Sequence, residues 1–348
     1  MSSTPQLRTE GARGAILPSL PLPAFARRAE FPLIAALLLL VLLVTTVALP
    51  LATYTTALAF FGLAHVGSEL RYIDYRFGIR LRGGFGLWVG SSLFAAVAMR
   101  LASILGLMPP GLAVALEIGF GATMTAACVV MMRSHRSIGI LVAMILFCGA
   151  VVAPFETLLF LAITHNLTPL GFLADALTGA ARRRVLALLA VPFLVLPLLI
   201  ATGLPFRLLA TLGLVAPDAA LLASGGLEAN LGAYVPARLI DSDWALHIFS
   251  AAVFAQCMHY LAVIVILPRL IDGGAPATTL VSWPRAALFF VYLAVAALTL
   301  AFGFAVDFKV ARQVYGLIAM VHSWIEIPIL VLALDRLAMA APQARPSP

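Results

Sequence analysis

Two short stretches of the chain repeat one arrangement of residues that can do chemistry. In "HVGSE" His65 precedes Glu69 by four positions, and in "HSWIE" His322 precedes Glu326 by the same number. Residues four apart lie on one face of an α-helix, so each stretch presents an imidazole beside a carboxylate. Two facing helices of this kind offer nitrogen and oxygen ligands, a set that suits iron, zinc or manganese. We therefore predict a metal site formed by these two pairs.

A third stretch, "HIFSAAVFAQCMHY", carries two further histidines. His247 and His259 are twelve positions apart, about 18 Å along a helix, so one ion cannot bind both. The predicted depth in the membrane groups His259 with the two His–Glu pairs. Gln256 lies one turn from His259 and is predicted to orient its ring by a hydrogen bond. His247 and His165 are placed near the opposite face, as a possible outer layer.

All these residues lie in or at the ends of apolar segments, where an ionisable group is expensive and indicates function. A single histidine there can also be a hydrogen-bonded packing residue, and one His–Glu pair can be a plain ion pair. The repeated pair and the third histidine favour a metal site. Arg100 and Glu117, on consecutive spans, are predicted to pair as a structural contact. The sequence identifies no catalytic residue beyond these ligands.

The composition predicts the fold class that must position these residues. The chain has 348 residues, of which 63% are hydrophobic and 11% are charged, with a mean hydropathy of +1.07. These values predict an all-α, polytopic transmembrane helix bundle. The net charge of +7 comes mostly from arginine and reflects membrane topology, not nucleic-acid binding.

We expect about nine or ten spans, because a span needs about 20 mainly apolar residues. Two further segments, 166–181 and 206–224, are ambiguous and make the count uncertain. The segments that satisfy the requirement are 31–50, 52–69, 86–107, 111–132, 137–164, 184–204, 245–267, 285–306 and 313–335.

The placement of the arginines predicts the orientation of the bundle. Positive residues concentrate in alternate loops, which puts both termini in the cytoplasm, in an integral protein of the bacterial inner membrane. Residues 1–30 are then a cytoplasmic tail, 31–336 the helical bundle and 337–348 a disordered tail.

Two stretches carry a resemblance to a known family. "FFGLAHVGSE" resembles the early Gly-x-x-His helix, and "FAQCMHYLAVIVILPRL" the aromatic-then-His helix, of the Brp/Blh family of membrane β-carotene dioxygenases. Only His65 and His259 match by position. The resemblance implies iron held by intramembrane histidines and cleavage of an isoprenoid chain with oxygen.

These observations favour a membrane metalloprotein, a non-haem iron oxidoreductase or oxygenase whose partner is a lipid or isoprenoid small molecule. Iron, or another transition metal such as zinc or manganese, is the predicted cofactor. Three alternatives remain open. One is a haem-binding redox protein, although haem has no use for two nearby glutamates. The others are a proton- or ion-coupled transporter that uses the cluster as a relay, and a non-catalytic scaffold.

Overall fold

The computed structural model describes residues 31–271 and 279–339, and this part of the chain is helical, with no strand. The predicted all-α class is therefore confirmed. The predicted tail at 1–30 and the residues from 340 onward lie outside the described residues. The predicted end of the bundle at 336 falls inside the last helix, which continues to Met339.

Helices α1 to α7 form the first half of the chain, and several begin with proline, whose fixed φ suits the first helical turn. Pro50, Pro110 and Pro154 each occupy such a position. The bounds are α1 (Phe31–Ala48), α2 (Pro50–Phe77), α3 (Gly83–Ile104), α4 (Pro110–Met131), α5 (Arg136–Val152), α6 (Pro154–His165) and α7 (Thr168–Ala176).

Two long helices of the second half contain a wide π-helical turn, at Val191–Val195 and at Ala262–Ile266. Each turn joins two helical segments, so that Gly179–Ala201 and Trp244–Ile271 are continuous. The bounds are α8 (Gly179–Ala190), α9 (Leu196–Ala201), α10 (Leu204–Ala210), α11 (Glu228–Leu231), α12 (Trp244–Leu261), α13 (Leu267–Ile271), α14 (Ala286–Val306) and α15 (Phe308–Met339).

The number of candidate spans is lower than expected. By length and composition the described residues contain six helices able to cross a membrane, or up to eight if α1 with α2 and α6 with α7 each form one bent span. The predicted nine or ten is therefore slightly too high. Neither ambiguous segment is a long helix: 166–181 contains α7 and the first three residues of α8, and 206–224 continues α10 only to Ala210.

A second cause of the lower count is a break in the segment predicted to span at 137–164. Ala153 leaves the helical conformation, with φ −150° and ψ 67°, and Pro154 starts a new helix. The two helices approach closely at this break, since a methyl group at Gly149 would overlap the side chain of Thr157. α5 is left with 17 residues and α6 with 12, each shorter than the about 20 that a straight span needs.

The interior of the bundle is formed by α2, α12 and α15. The most apolar window of Trp244–Ile271 is 72% buried, whereas the windows of Gly83–Ile104 and Ala286–Val306 are 17% and 22% buried. The outer helices expose many large apolar side chains, such as Phe94 and Phe302. An apolar outer surface of this extent suits contact with lipid, and it leaves the polar residues of α2, α12 and α15 inside.

Candidate metal centre

Four helices direct six metal-ligating side chains toward one point inside the bundle. Five of these side chains are at most 1% exposed, and the sixth is 17% exposed. The cluster, named here the His/Glu cluster, consists of His65 and Glu69 on α2, His165 at the end of α6, His259 on α12, and His322 and Glu326 on α15.

The Nε2 atom of His322 lies at the middle of the cluster. It is 3.2 Å from Nε2 of His65 and also 3.2 Å from Nε2 of His165. An imidazole nitrogen carries either one hydrogen or one lone pair, so a single hydrogen bond uses it fully. At most one of the two contacts can therefore be a hydrogen bond to this nitrogen. Nitrogen ligands of one ion, with bonds of about 2.1 Å, lie about 3.0–3.4 Å apart, and the observed spacing matches that geometry.

Each of the two carboxylates lies close to a different imidazole. Oε2 of Glu69 is 3.3 Å from Nε2 of His259 and 3.9 Å from Nε2 of His322. Oε2 of Glu326 is 2.8 Å from Nδ1 of His165. A carboxylate that accepts the Nδ1–H of a histidine leaves the Nε2 lone pair of that ring free for an ion. Glu326 is therefore in position to orient His165 toward the centre.

Several buried polar atoms of the cluster have no hydrogen-bond partner among the described residues. A buried polar group without a partner costs about 1–3 kcal/mol, so native proteins rarely leave several together. A bound cation would satisfy the carboxylate oxygens and one ring nitrogen of His259. The atoms are Oε1 of Glu69, Nδ1 of His259, Nδ1 of His322 and Oε1 of Glu326, together with Oε2 of Glu69 and Nε2 of His259, which lie 3.3 Å apart but form no hydrogen bond.

The ligand atoms divide into two overlapping sets. In the first set, one nitrogen from each of the four histidines lies within 4.8 Å of the others. In the second, Glu69 and Glu326 join His165 and His322 within the same limit. Because the sets share two histidines, the cluster is able to hold one ion or two adjacent ions.

Both predicted His–Glu pairs and His259 come together as expected, but His165 does not lie in an outer layer. It belongs to the cluster, because a separate helix, α6, starts at Pro154 after the break and its last residue lies in the interior. His247 is the residue that remains apart. Its ring packs against Phe206 and Trp244 at the start of α12, so the two histidines form no second layer.

The side-chain hydrogen bonds of Gln256 go to two tyrosines and not to His259, contrary to the prediction. Its amide oxygen accepts from the hydroxyl of Tyr234 at 2.9 Å, and its nitrogen donates to the hydroxyl of Tyr260 at 2.6 Å. The ring of Tyr260 in turn stacks on His65, with centroids 4.1 Å apart. Gln256 thus acts on the cluster through Tyr260 and His65. No spacing of the tyrosines in the sequence predicted that Gln256 would reach His65 through Tyr260.

The predicted pair of Arg100 and Glu117 is confirmed. Nε and Nη2 of the arginine donate to the two carboxylate oxygens at 2.9 and 2.5 Å. The indole of Trp324 donates to the same carboxylate at 2.9 Å. These contacts join α3, α4 and α15 beside the cluster, and fix the helix that carries His322.

A cavity of about 1130 Å³ extends along α15 and reaches the cluster. It is lined on α15 from Lys309 to Leu334, a length of about 38 Å at 1.5 Å per residue. His322 lies close to the middle of this length. Four cluster residues contribute to the wall, namely His65, His165, His322 and Glu326.

Fold and site together define a helical protein whose apolar helices are suited to a membrane and whose buried His/Glu cluster is able to hold a metal ion. No family model matches the chain, and neither a curated protein nor a solved structure is significantly similar to it. The assignment of function therefore depends on the chemistry of the cluster and its cavity.

Proposed function

We propose that this protein is an integral membrane metalloenzyme, a non-haem iron oxidoreductase or oxygenase that acts on a lipid or isoprenoid. We further propose the bacterial inner membrane as its location, with both termini cytoplasmic. The observation that carries the proposal is the position of His322 Nε2, which is 3.2 Å from two other imidazole nitrogens. This arrangement has a simple explanation if the three nitrogens share an ion.

The ligand types suit a transition metal, and among these ions we propose iron. Imidazole and carboxylate ligands together suit non-haem iron, whereas a site for Mg²⁺ or Ca²⁺ would be built from oxygen. Iron bound there would supply the activation of oxygen that an unreactive hydrocarbon requires. In this proposal His65, His165, His259 and His322 hold the ion. Glu69 is a further ligand, and Glu326 orients His165.

The cavity supports a long apolar substrate. Its volume of about 1130 Å³ exceeds the common range of small-molecule pockets, about 300–1000 Å³. It also extends along α15 on both sides of His322. A lipid or isoprenoid chain that lies along α15 would therefore present an interior part of the chain to the cluster. The surrounding helices would exclude bulk water from the reacting atoms.

Haem fits the cluster less well than a single ion. Axial nitrogens on opposite sides of a haem iron are about 4 Å apart, twice a bond of about 2 Å, and the macrocycle separates the two rings. The imidazole nitrogens of His322 and His65 are 3.2 Å apart, and the centroids of these two rings are 4.8 Å apart. There is no room for a macrocycle between them.

Metal analysis of the protein, purified in mild detergent, tests the proposal. We expect about one or two iron ions per chain, and loss of most of this metal in His322→Ala, because that ring contacts both neighbouring imidazoles. His247→Ala is the matched control, since His247 lies on α12 outside the cluster. It should retain the metal.

Two results would overturn the proposal. One is a metal-free and colourless protein that stays metal-free after anaerobic incubation with Fe²⁺. The other is equal metal loss in His322→Ala and His247→Ala, which would indicate adventitious binding. A metal-free protein that moves protons or ions across vesicles in a His322-dependent manner would support the transporter alternative instead.

A further inference from the structure

One end of the cavity is cationic. Lys309 and Arg312 lie three positions apart near the start of α15, on the same helix face, and both line the cavity. Arg312 is half-buried, whereas Lys309 is exposed. The two positive charges are therefore in position to meet a ligand that enters at this end.

The guanidinium of Arg312 is held in a defined place. Its Nη1 donates to Oδ1 of Asn230 at 3.3 Å, and the group lies 5.9 Å from the centroid of the Tyr54 ring. Asn230 is buried, and its own amide nitrogen donates to the carbonyls of Ser224 and Gly226, each at 3.0 Å. A guanidinium positioned by a fixed neighbour loses little freedom when it binds an anion.

Neither cation forms a salt bridge with a carboxylate of the described residues. Two other half-buried arginines do form salt bridges: Arg76 pairs with Asp175, and Arg100 pairs with Glu117. A half-buried guanidinium has five N–H donors, and Arg312 uses one of them on Asn230. Removing a cation from water without a counter-ion is costly, so an anion from outside the chain would stabilise this arrangement.

The distance from this cationic end to the cluster defines the shape of the ligand. Arg312 and His322 are ten residues apart on one helix, which is about 15 Å. Between them the cavity is lined by apolar residues such as Leu58, Ala319 and Met320 and by Tyr260 and Tyr315, whose hydroxyls are 3.1 Å apart and hydrogen-bonded to each other. A ligand that reaches both ends needs an anionic head and an apolar chain.

We propose that the cavity binds an anionic amphiphile. Its carboxylate or phosphate head contacts Lys309 and Arg312, and its apolar chain runs along α15 past the cluster. Arginine suits both head groups, because its planar fork donates two parallel hydrogen bonds to either. Binding of this amphiphile needs no metal. Only its identity as the substrate rests on the proposed function.

Glu156 is the cavity residue that would select a different ligand. It lines the cavity from α6 and forms no salt bridge with a described residue. A cationic amphiphile would use this carboxylate and would be repelled by Lys309 and Arg312. The sign of the preferred head group therefore separates the two ligand classes.

Binding of matched amphiphiles to the purified protein in nanodiscs of neutral phospholipid tests the proposal. The probes are palmitate, lysophosphatidic acid, hexadecanol and hexadecylamine, which carry carboxylate, phosphate, neutral and cationic heads. We expect at least one anionic probe to bind about tenfold or more tightly than hexadecanol, because it adds charge-assisted hydrogen bonds. The preference between palmitate and lysophosphatidic acid identifies the head group.

Variants locate the binding site. Arg312→Gln and Lys309→Gln should each remove most of the preference for the anionic probe over hexadecanol, and Arg312→Lys should retain part of it. Arg207→Gln is the control, because Arg207 is exposed and does not line the cavity. An unchanged preference in both Gln variants, equal affinities for all heads, or tighter binding of hexadecylamine would overturn the proposal.

The metal-deficient variant His322→Ala separates this inference from the proposed function. If the anionic probe still binds there in an Arg312-dependent manner, the amphiphile site exists whether or not the cluster holds iron. If metal binds as proposed but no anionic preference is found, the cluster is a metal centre for another substrate and this inference alone fails.

Discussion

At the scale of single residues, the spacing of His65 with Glu69 and of His322 with Glu326 predicted the side chains that meet. A separation of four positions fixes a common helix face whatever the tertiary fold, so this part was accessible from sequence. The position of His165 was not accessible in this way. It depends on the break at Pro154, and a continuous span over 137–164 would have put the histidine at its far end. The proline itself was the available signal.

Glu326 offers the sharpest test at this scale. In Glu326→Gln the carboxylate that accepts from Nδ1 of His165 is replaced by a neutral amide, while the size of the side chain is kept. We expect metal affinity to fall about 10–100-fold, the usual effect of losing such an outer partner. Competition with a chelator of known affinity measures the change.

Glu156→Gln is the control for this substitution, because Glu156 lines the same cavity without contacting a cluster histidine. It should bind metal as the unaltered protein does. Equal affinity in Glu326→Gln and the unaltered protein would show that the contact with His165 has no role in holding the ion.

At the scale of helices, the position of His322 and Glu326 depends on how closely α15 approaches α4. Gly121 on α4 faces the ring of Trp324, and a methyl group there would overlap that ring. Small residues allow helices in a membrane protein to approach closely. Trp324 also donates to Glu117, so the same contact area carries a polar bond between the two helices. Hydropathy identified both helices but could not predict that α4 and α15 pack closely, because close packing depends on which helix faces meet.

Gly121→Ala should therefore destabilise the protein by about 1–3 kcal/mol through overpacking. Trp324 would have to move, and the neighbouring cluster residues of α15 would shift with it. Thermal unfolding in detergent, with metal content measured on the same samples, should show a lower Tm and weaker metal retention.

Gly119→Ala on the same helix is a matched control, because a methyl group there would meet no atom within 4 Å. Its helix propensity should make it neutral or slightly stabilising, by up to about 1 kcal/mol. A Gly121→Ala protein as stable as Gly119→Ala would contradict the described packing of α4 against Trp324.

At the scale of the whole molecule, the cluster joins parts of the chain that are far apart in sequence. His65 and His322 are separated by 257 positions, and α2, α6, α12 and α15 each contribute at least one side chain to the cluster. Composition was sufficient to predict a helical membrane bundle. The number of spans was overestimated, because hydropathy does not reveal where an apolar segment such as 137–164 is broken.

An ion held by four helices should stabilise the complete bundle. Metal at a free concentration about a hundredfold above its Kd would contribute about 2.7 kcal/mol, provided that the unfolded chain does not bind it. We expect the Tm to fall after treatment with a chelator and to recover when Fe²⁺ is restored anaerobically. In His322→Ala the chelator-treated protein and the Fe²⁺-supplemented protein should unfold at nearly the same temperature. A chelator effect of equal size in that variant would mean that the stabilising ion binds elsewhere.

The distribution of the ligands along the chain has a consequence for biosynthesis. The ribosome synthesises α2, α6 and α12 before α15. α15 carries the central imidazole of His322 and the carboxylate of Glu326. A nascent chain that ends after α14 has four of the six ligands but lacks the ring that lies between His65 and His165. The complete set of six side chains therefore exists only once α15 has entered the bundle, so an ion could be bound by all four helices only after that step.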